Sequence, residues 1–293
     1  MNNPFVIFFA FLLTAFGCSS IDENQEMYLW PGASQESTER VLVEYDDEIL
    51  RITDVNAPSL RYFQANRSGR RPAMLIFPGG GYNLLSYDLE GTEPAEWVNS
   101  LGIHAIVVKY TVPNNRDAAY NDGLKALEIV YEKAEEWNID TTKIGVMGFS
   151  AGAHLTARLS HSSSRAEDCS KRLALVKCTP PDFSILIYPA YLAVENSSSI
   201  SPELEPMDII PPIFIVQTLD DSAFVGGTIQ YSETLLEREA DLEFNLFEKG
   251  GHGYGMRLEG ENELSNWPTY LADWLVQKNI IQYVLEVEGA KQK

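Results

Sequence analysis

From position 73 onward two kinds of segment alternate along the chain, and their order leaves few architectures open. AMLIF (73–77), IHAIVVKY (103–110), KIGVMGF (143–149), FSILIY (183–188), IFIVQT (213–218) and EFNLFE (243–248) have strand length and are largely apolar or β-branched. Between them TEPAEWVNSL (92–101), residues 117–137, AGAHLTARLS (151–160), GGTIQYSETLLEREA (226–240) and NWPTYLADWLVQKN (266–279) read as helices. Near-continuous apolar strands separated by helices require a sheet buried on both faces, and such sheets are mostly parallel. VLVEY (41–45), ILRITDV (49–55) and LRYFQA (60–65) add earlier strands. The class is therefore α/β, with a predominantly parallel central sheet flanked by helices on both faces and ligands expected at the carboxyl ends of its strands.

Four apolar residues lead into Gly148-Phe149-Ser150-Ala151-Gly152, a G-x-S-x-G pattern placed where a strand ends and a helix begins. A serine on so sharp a turn needs very small neighbours, because flanking side chains would collide with the adjoining strand and helix. At a helix N-terminus it also places the N–H of Ala151 near an oxygen that becomes negative during attack. A serine is a weak nucleophile until a base takes its proton, and that base needs an orienting acid. The chain has four histidines. His104 lies within an apolar strand, His154 follows one turn along the serine's helix, and His161 falls at the end of that helix beside a serine run, where it is expected to be exposed. His252, on the glycine-rich loop GGHGYG after the last strand, is the candidate base. Asp220 and Asp221 both follow the strand IFIVQT. Counting from that strand favours Asp221 as the acid, leaving Asp220 to a turn or to solvent. The order Ser150, Asp221, His252 is that of one known arrangement of the triad.

A second element is the strand ending in Pro78-Gly79-Gly80-Gly81. Bare backbone N–H groups there can approach a carbonyl oxygen, so Gly80, then Gly79, join Ala151 as oxyanion-hole candidates. No lysine follows as a phosphate-binding loop would require; Asn83 and Leu84 occupy that place. Tyr82, Glu90, Tyr188 and Tyr254 are candidates for lining a substrate pocket.

The 42 acidic residues against 22 basic ones give a formal charge of −20, which repels polyanions and argues against nucleic-acid binding. Residues 1–18 carry an apolar run, Phe5 to Phe16, too short for a comfortable membrane span and followed by small residues and Cys18. This predicts an export signal. Cys18 is the candidate lipidation site of a periplasmic or outer-membrane-anchored lipoprotein, the alternative being an ordinary secretory signal cut near Gly17. Residues 19–40 are expected to be a linker, 41–285 one domain, and 286–293 a tail. In an oxidising compartment Cys169 and Cys178 are either a local disulfide or two free thiols.

LWPG (29–32), RITDV (51–55), PGGGY (78–82), residues 87–110, GFSAGAHL (148–155), PPDFSILIYPAY (180–191), VQTLDDSAFV (216–225) and EKGGHGYGMR (248–257) together resemble the exported α/β-hydrolases related to bacterial acetyl xylan esterases and feruloyl esterase-like enzymes. The resemblance covers nearly all of the chain after the signal. It implies the α/β-hydrolase fold and a serine esterase of short acyl, above all acetyl, esters on polysaccharides, with Ser150, Asp221 and His252 as the matching triad. It implies no metal or organic cofactor, an acylated carbohydrate or small ester as partner, and membrane attachment only through a lipid. Pro78 stands where related enzymes commonly carry a histidine, and Ala153 where many carry a second glycine. Feruloyl ester or peptide hydrolysis is the alternative chemistry, and a catalytically silent carbohydrate-binding envelope protein the alternative without chemistry.

Overall fold

The computed structural model describes residues 26–32, 38–43, 48–161, 180–194, 197, 199–205, 209–258 and 262–282. Cys18, Cys169 and Cys178 lie outside the described residues, as do the export signal and the C-terminal tail. Among the described residues no helix is long and apolar enough to cross a membrane.

Eight strands form the main sheet. They are β1 (Glu26–Tyr28), β4 (Ser59–Phe63), β5 (Arg71–Phe77), β7 (His104–Lys109), β8 (Ile139–Phe149), β9 (Phe183–Ile187), β10 (Ile213–Thr218) and β11 (Leu242–Phe247), in the spatial order β1-β4-β7-β5-β8-β9-β10-β11. The pairings from β7 to β11 are all parallel, whereas β1–β4 and β4–β7 are antiparallel. A separate small antiparallel sheet joins β2 (Arg40–Val43), β3 (Leu50–Thr53) and β6 (Leu85–Ser86).

The strand period of two decides which helix each side chain meets. From β5, Leu75 and Phe77 join Ile106, Val146 and the buried faces of helices α2 (Arg116–Lys133) and α3 (Ala151–Ser160). Met74 and Ile76 point the other way, with Val107 and Met147, onto α1 (Glu93–Ser100) and α5 (Trp267–Gln277), where Trp267 and Trp274 are buried. Helix α4 (Val225–Glu237) packs Tyr231 and Leu235 against Ile213 and Ile215. Strands β7, β9 and β10 are buried along their whole length, which explains their lack of polar alternation. The edge strand β11 is mostly half-buried.

Two expectations need correction, and one element was not foreseen. Part of the span 19–40 is not a linker, because Glu26–Tyr28 pairs with β4, Leu29 is buried and the Trp30 indole N–H donates to Asp122 Oδ1 at 2.7 Å. A three-residue edge strand in a polar stretch carries too little periodicity to be read from sequence. The segment before α1 is one π-helical turn, Asp88–Thr92. His161 is buried, not exposed, with its Nε2 2.7 Å from the Tyr231 hydroxyl.

Candidate active site

Strand β8 delivers Ser150 to the carboxyl edge of the sheet, and α3 starts at the next residue. Ser150 has φ 51° and ψ −117°, a conformation that costs a side-chain-bearing residue on the order of 1–3 kcal/mol. Its surroundings hold it there: its N–H donates to Ile187 O, and its carbonyl accepts from Ala153, His154 and Ala190. The small-residue requirement is visible in the packing. A Cβ on Gly148 would lie 2.2 Å from Gly152 O, and one on Gly152 would lie 2.0 Å from Phe77 O. Both positions are glycine because α3 crosses almost in contact with the strand ends.

The histidine arrives from the loop after β11. The Ser150 hydroxyl and His252 Nε2 are 2.7 Å apart, and His252 Nδ1 is 2.8 Å from Asp221 Oδ2. A carboxylate can only accept, so Nδ1 carries the proton and Nε2 is free to accept from the serine. Asp221 is 5% exposed, which shields its carboxylate from water, while His252 itself is exposed. The imidazole is held between the rings of Tyr188 and Phe224, with centroids 5.0 and 4.9 Å away. Asp220 faces away from the imidazole and accepts from the N–H groups of Gly250 (3.2 Å) and Gly251 (2.9 Å), while the Thr218 hydroxyl donates to Gly251 O. The adjacent aspartates thus divide the work. One meets the ring and the other ties its loop to the end of β10.

The other histidines are built into the fold. The His104 ring accepts the Ala65 N–H and meets the Tyr62 hydroxyl, and burial lowers its pKa to about 4. Burial does the same to His161 and also lowers His154, whose Nδ1 is 2.8 Å from the Tyr82 hydroxyl.

The glycine loop after β5 needs a correction. The Gly79 N–H donates to Glu90 Oε2 at 2.8 Å, so it is not available to a substrate oxygen. The N–H of Gly80 has no partner among the described residues, and the N–H of Ala151 opens α3, where no intrahelical acceptor exists. Gly80 has φ +128°, and a Cβ there would lie 2.2 Å from Leu84 O, so the loop closes only around glycine.

The pocket candidates Tyr82, Glu90 and Tyr188 are buried supports rather than pocket walls. Glu90 sits in the π-helical turn, and its second oxygen, Oε1, accepts from the Tyr188 hydroxyl at 2.7 Å. That hydroxyl in turn accepts the Gly255 N–H at 2.9 Å. Burial raises the Glu90 pKa, and the Tyr188 and Gly79 donors oppose that rise. One buried carboxylate therefore links the Gly79-Gly80 loop to the His252 loop. Tyr254 stacks edge-on against Tyr188 at 4.4 Å, and its hydroxyl is buried without a partner among the described residues.

Reasoning from sequence missed an adjoining cavity of ≈ 450 Å³ lined by Tyr191, Phe224, Gly226 and Gln230, among others. The available signal was position: Tyr191 and Phe224 follow within six residues of the ends of β9 and β10, where open α/β sheets bind ligands.

Comparison with known proteins agrees with this fold. A family model described as alpha/beta hydrolase fold matches residues 74–210. The crystal structure of an acetyl ester-xyloside bifunctional hydrolase from Caldicellulosiruptor lactoaceticus superposes with a TM-score of 0.70, covering 88% of this chain and 98% of that one at 24% identity. The chain is an α/β-hydrolase by fold. Among curated proteins, this α/β-hydrolase is 30% identical over 227 residues to an acetylxylan esterase of Xylanibacter ruminicola, covering 69% of this chain and 44% of the relative. It is 28% identical over 235 residues to endo-1,4-beta-xylanase B of Butyrivibrio fibrisolvens, covering 72% and 36%. The chain spans less than half the length of either relative.

Proposed function

We infer that this α/β-hydrolase is a serine esterase that removes short acyl groups, acetyl foremost, from polysaccharides such as xylan. The observation that carries the reading is the continuous relay from Asp221 through His252 to Ser150 at 2.8 and 2.7 Å. Similarity to an acetylxylan esterase supports the substrate class.

In this reading Ser150 Oγ bonds to the ester carbonyl carbon as His252 Nε2 takes its proton. The carbonyl oxygen becomes an oxyanion, and the Gly80 and Ala151 N–H groups donate to it. When the bond to the alcohol oxygen breaks, His252 returns the proton to that oxygen and the alcohol departs, leaving Ser150 acylated. A water then repeats the cycle: His252 removes its proton, the carboxylic acid leaves, and Ser150 regains its hydrogen. Asp221 holds the imidazole tautomer and stabilises the transient imidazolium. Deleting one oxyanion donor typically costs on the order of 10²–10³ in rate.

The test is mass spectrometry of acetylated xylo-oligosaccharides incubated with the wild-type protein and with Ser150→Ala. The expected result is stepwise loss of acetyl groups with the wild type alone. Unchanged oligosaccharide masses with a folded wild-type protein would refute the reading.

A further inference from the structure

The catalytic geometry fixes which half of an ester the neighbouring cavity can hold. In the esterase reading, on which this inference rests, His252 must reach the alcohol oxygen, so the alcohol half leaves past the imidazole. Phe224 packs on that imidazole with centroids 4.9 Å apart and also lines the ≈ 450 Å³ cavity. Tyr191 packs edge-on against Phe224 at 5.5 Å, and its hydroxyl comes within 3.5 Å of where a Cβ on Gly81 would stand, beside the proposed oxyanion loop. The cavity therefore begins where the leaving oxygen departs.

Its lining suits a sugar ring. Two half-buried aromatic rings offer faces for the C–H face of a pyranose. Gln230, on α4, and exposed Ser197 add polar groups. The Gln230 Nε2 lies 3.4 Å from Ser197 O, and its Oε1 is buried without a hydrogen-bond partner among the described residues. A buried amide oxygen in that state favours a donating hydroxyl. The volume falls within the range of about 300–1,000 Å³ common to small-molecule sites, and the lining sets aromatic faces beside polar groups, as a ring carrying several hydroxyls requires.

We propose that this cavity is the subsite for the leaving alcohol, holding the pyranose ring whose hydroxyl is acylated, with Tyr191 and Phe224 as its platform and Gln230 as its hydrogen-bonding group. It makes the enzyme selective for glycosyl esters over esters of simple alcohols.

Gly226 supplies the test, because it opens onto the cavity, is exposed, and a Cβ added there meets nothing within 4 Å. Gly226→Tyr fills the cavity, and Gln230→Leu removes its amide without adding bulk. Each is assayed with monoacetylated methyl xylopyranoside and with ethyl acetate, whose alcohol is too small to need the subsite. Both variants are expected to lose roughly tenfold or more in kcat/KM on the glycosyl ester and to change less than about twofold on ethyl acetate. Equal losses on both esters, or no loss on either, overturn the assignment. A wild-type protein that is folded yet inactive on both esters instead defeats the esterase reading itself, so the two failures are separable.

Discussion

Tyr188→Phe deletes one oxygen and thereby cuts the link between the two loops that flank Ser150. That oxygen donates to Glu90 Oε1 at 2.7 Å and accepts the Gly255 N–H at 2.9 Å, and both Glu90 and Gly255 are buried. A hydrogen bond to a charged group contributes about 1.5–3 kcal/mol, and a buried N–H left without an acceptor costs about 1–3 kcal/mol. The expected loss of unfolding free energy is therefore about 2.5–6 kcal/mol, a large part of a typical domain stability of about 5–15 kcal/mol. Urea unfolding followed by tryptophan fluorescence reads this loss, since Trp267 and Trp274 are buried. Kinetics should change in kcat more than in KM. Glu90 would keep its hold on Gly79 but lose the His252 loop, and misplacement by about 1 Å can cost on the order of 10²-fold. The double variant Tyr188→Phe/Glu90→Leu should be less unstable than the sum of its singles, because it removes a stranded carboxyl along with its lost donor. A stability loss below about 1 kcal/mol with kcat unchanged would show that the buried carboxylate braces nothing.

Other perturbations have equally definite outcomes. His104 and His161 are held near pKa 4 by burial but titrate near 6.5 when unfolded, so the unfolded chain binds their protons more tightly. Their stabilisation is complete above pH 6.5 and is lost as pH falls toward 4, by about 3 kcal/mol each. Urea midpoints measured across that window should fall steeply, and a flat profile from pH 7 to 4.5 would contradict it. Gly152→Ala drives a methyl group to within 2.0 Å of Phe77 O and should abolish folding or lower stability by about 3 kcal/mol or more, whereas Gly226→Ala should be neutral or slightly stabilising. Equal melting temperatures for the two would refute the close-approach explanation.

The sequence exposed those parts of the molecule that rest on local pattern. The buried parallel strands show as unbroken apolar runs, the nucleophile turn as two glycines around a serine, and the histidine loop as a glycine cluster after the last strand. Asp221 was separable from Asp220 by its distance from the end of β10, and the structure places only Asp221 against the imidazole. What stayed hidden depends on contacts between distant segments. Glu90 looks like a pocket residue until the π-helical turn is seen to direct it under Gly79, 11 positions earlier, and toward Tyr188, 98 positions later. Gly79 and Gly80 are indistinguishable as sequence, and only the buried carboxylate decides which N–H remains open. The cavity combines Tyr191 and Ser197 with Phe224, Gly226 and Gln230, from two segments whose meeting depends on how β9 and β10 pair. Strand β1 is three residues long and draws its stability from β4, so no periodicity announces it.

The most direct check on the central proposal is to treat the protein with paraoxon and locate the label by peptide mass mapping. An activated serine attacks phosphorus and expels p-nitrophenolate, so the wild type should carry one diethylphosphoryl group on the peptide containing Ser150, with loss of esterase activity in proportion. Asp221→Asn should label far more slowly, and Ser150→Ala not at all. A wild-type protein that stays unlabelled while hydrolysing esters, or a label that falls on another residue, would show that Ser150 is not the nucleophile.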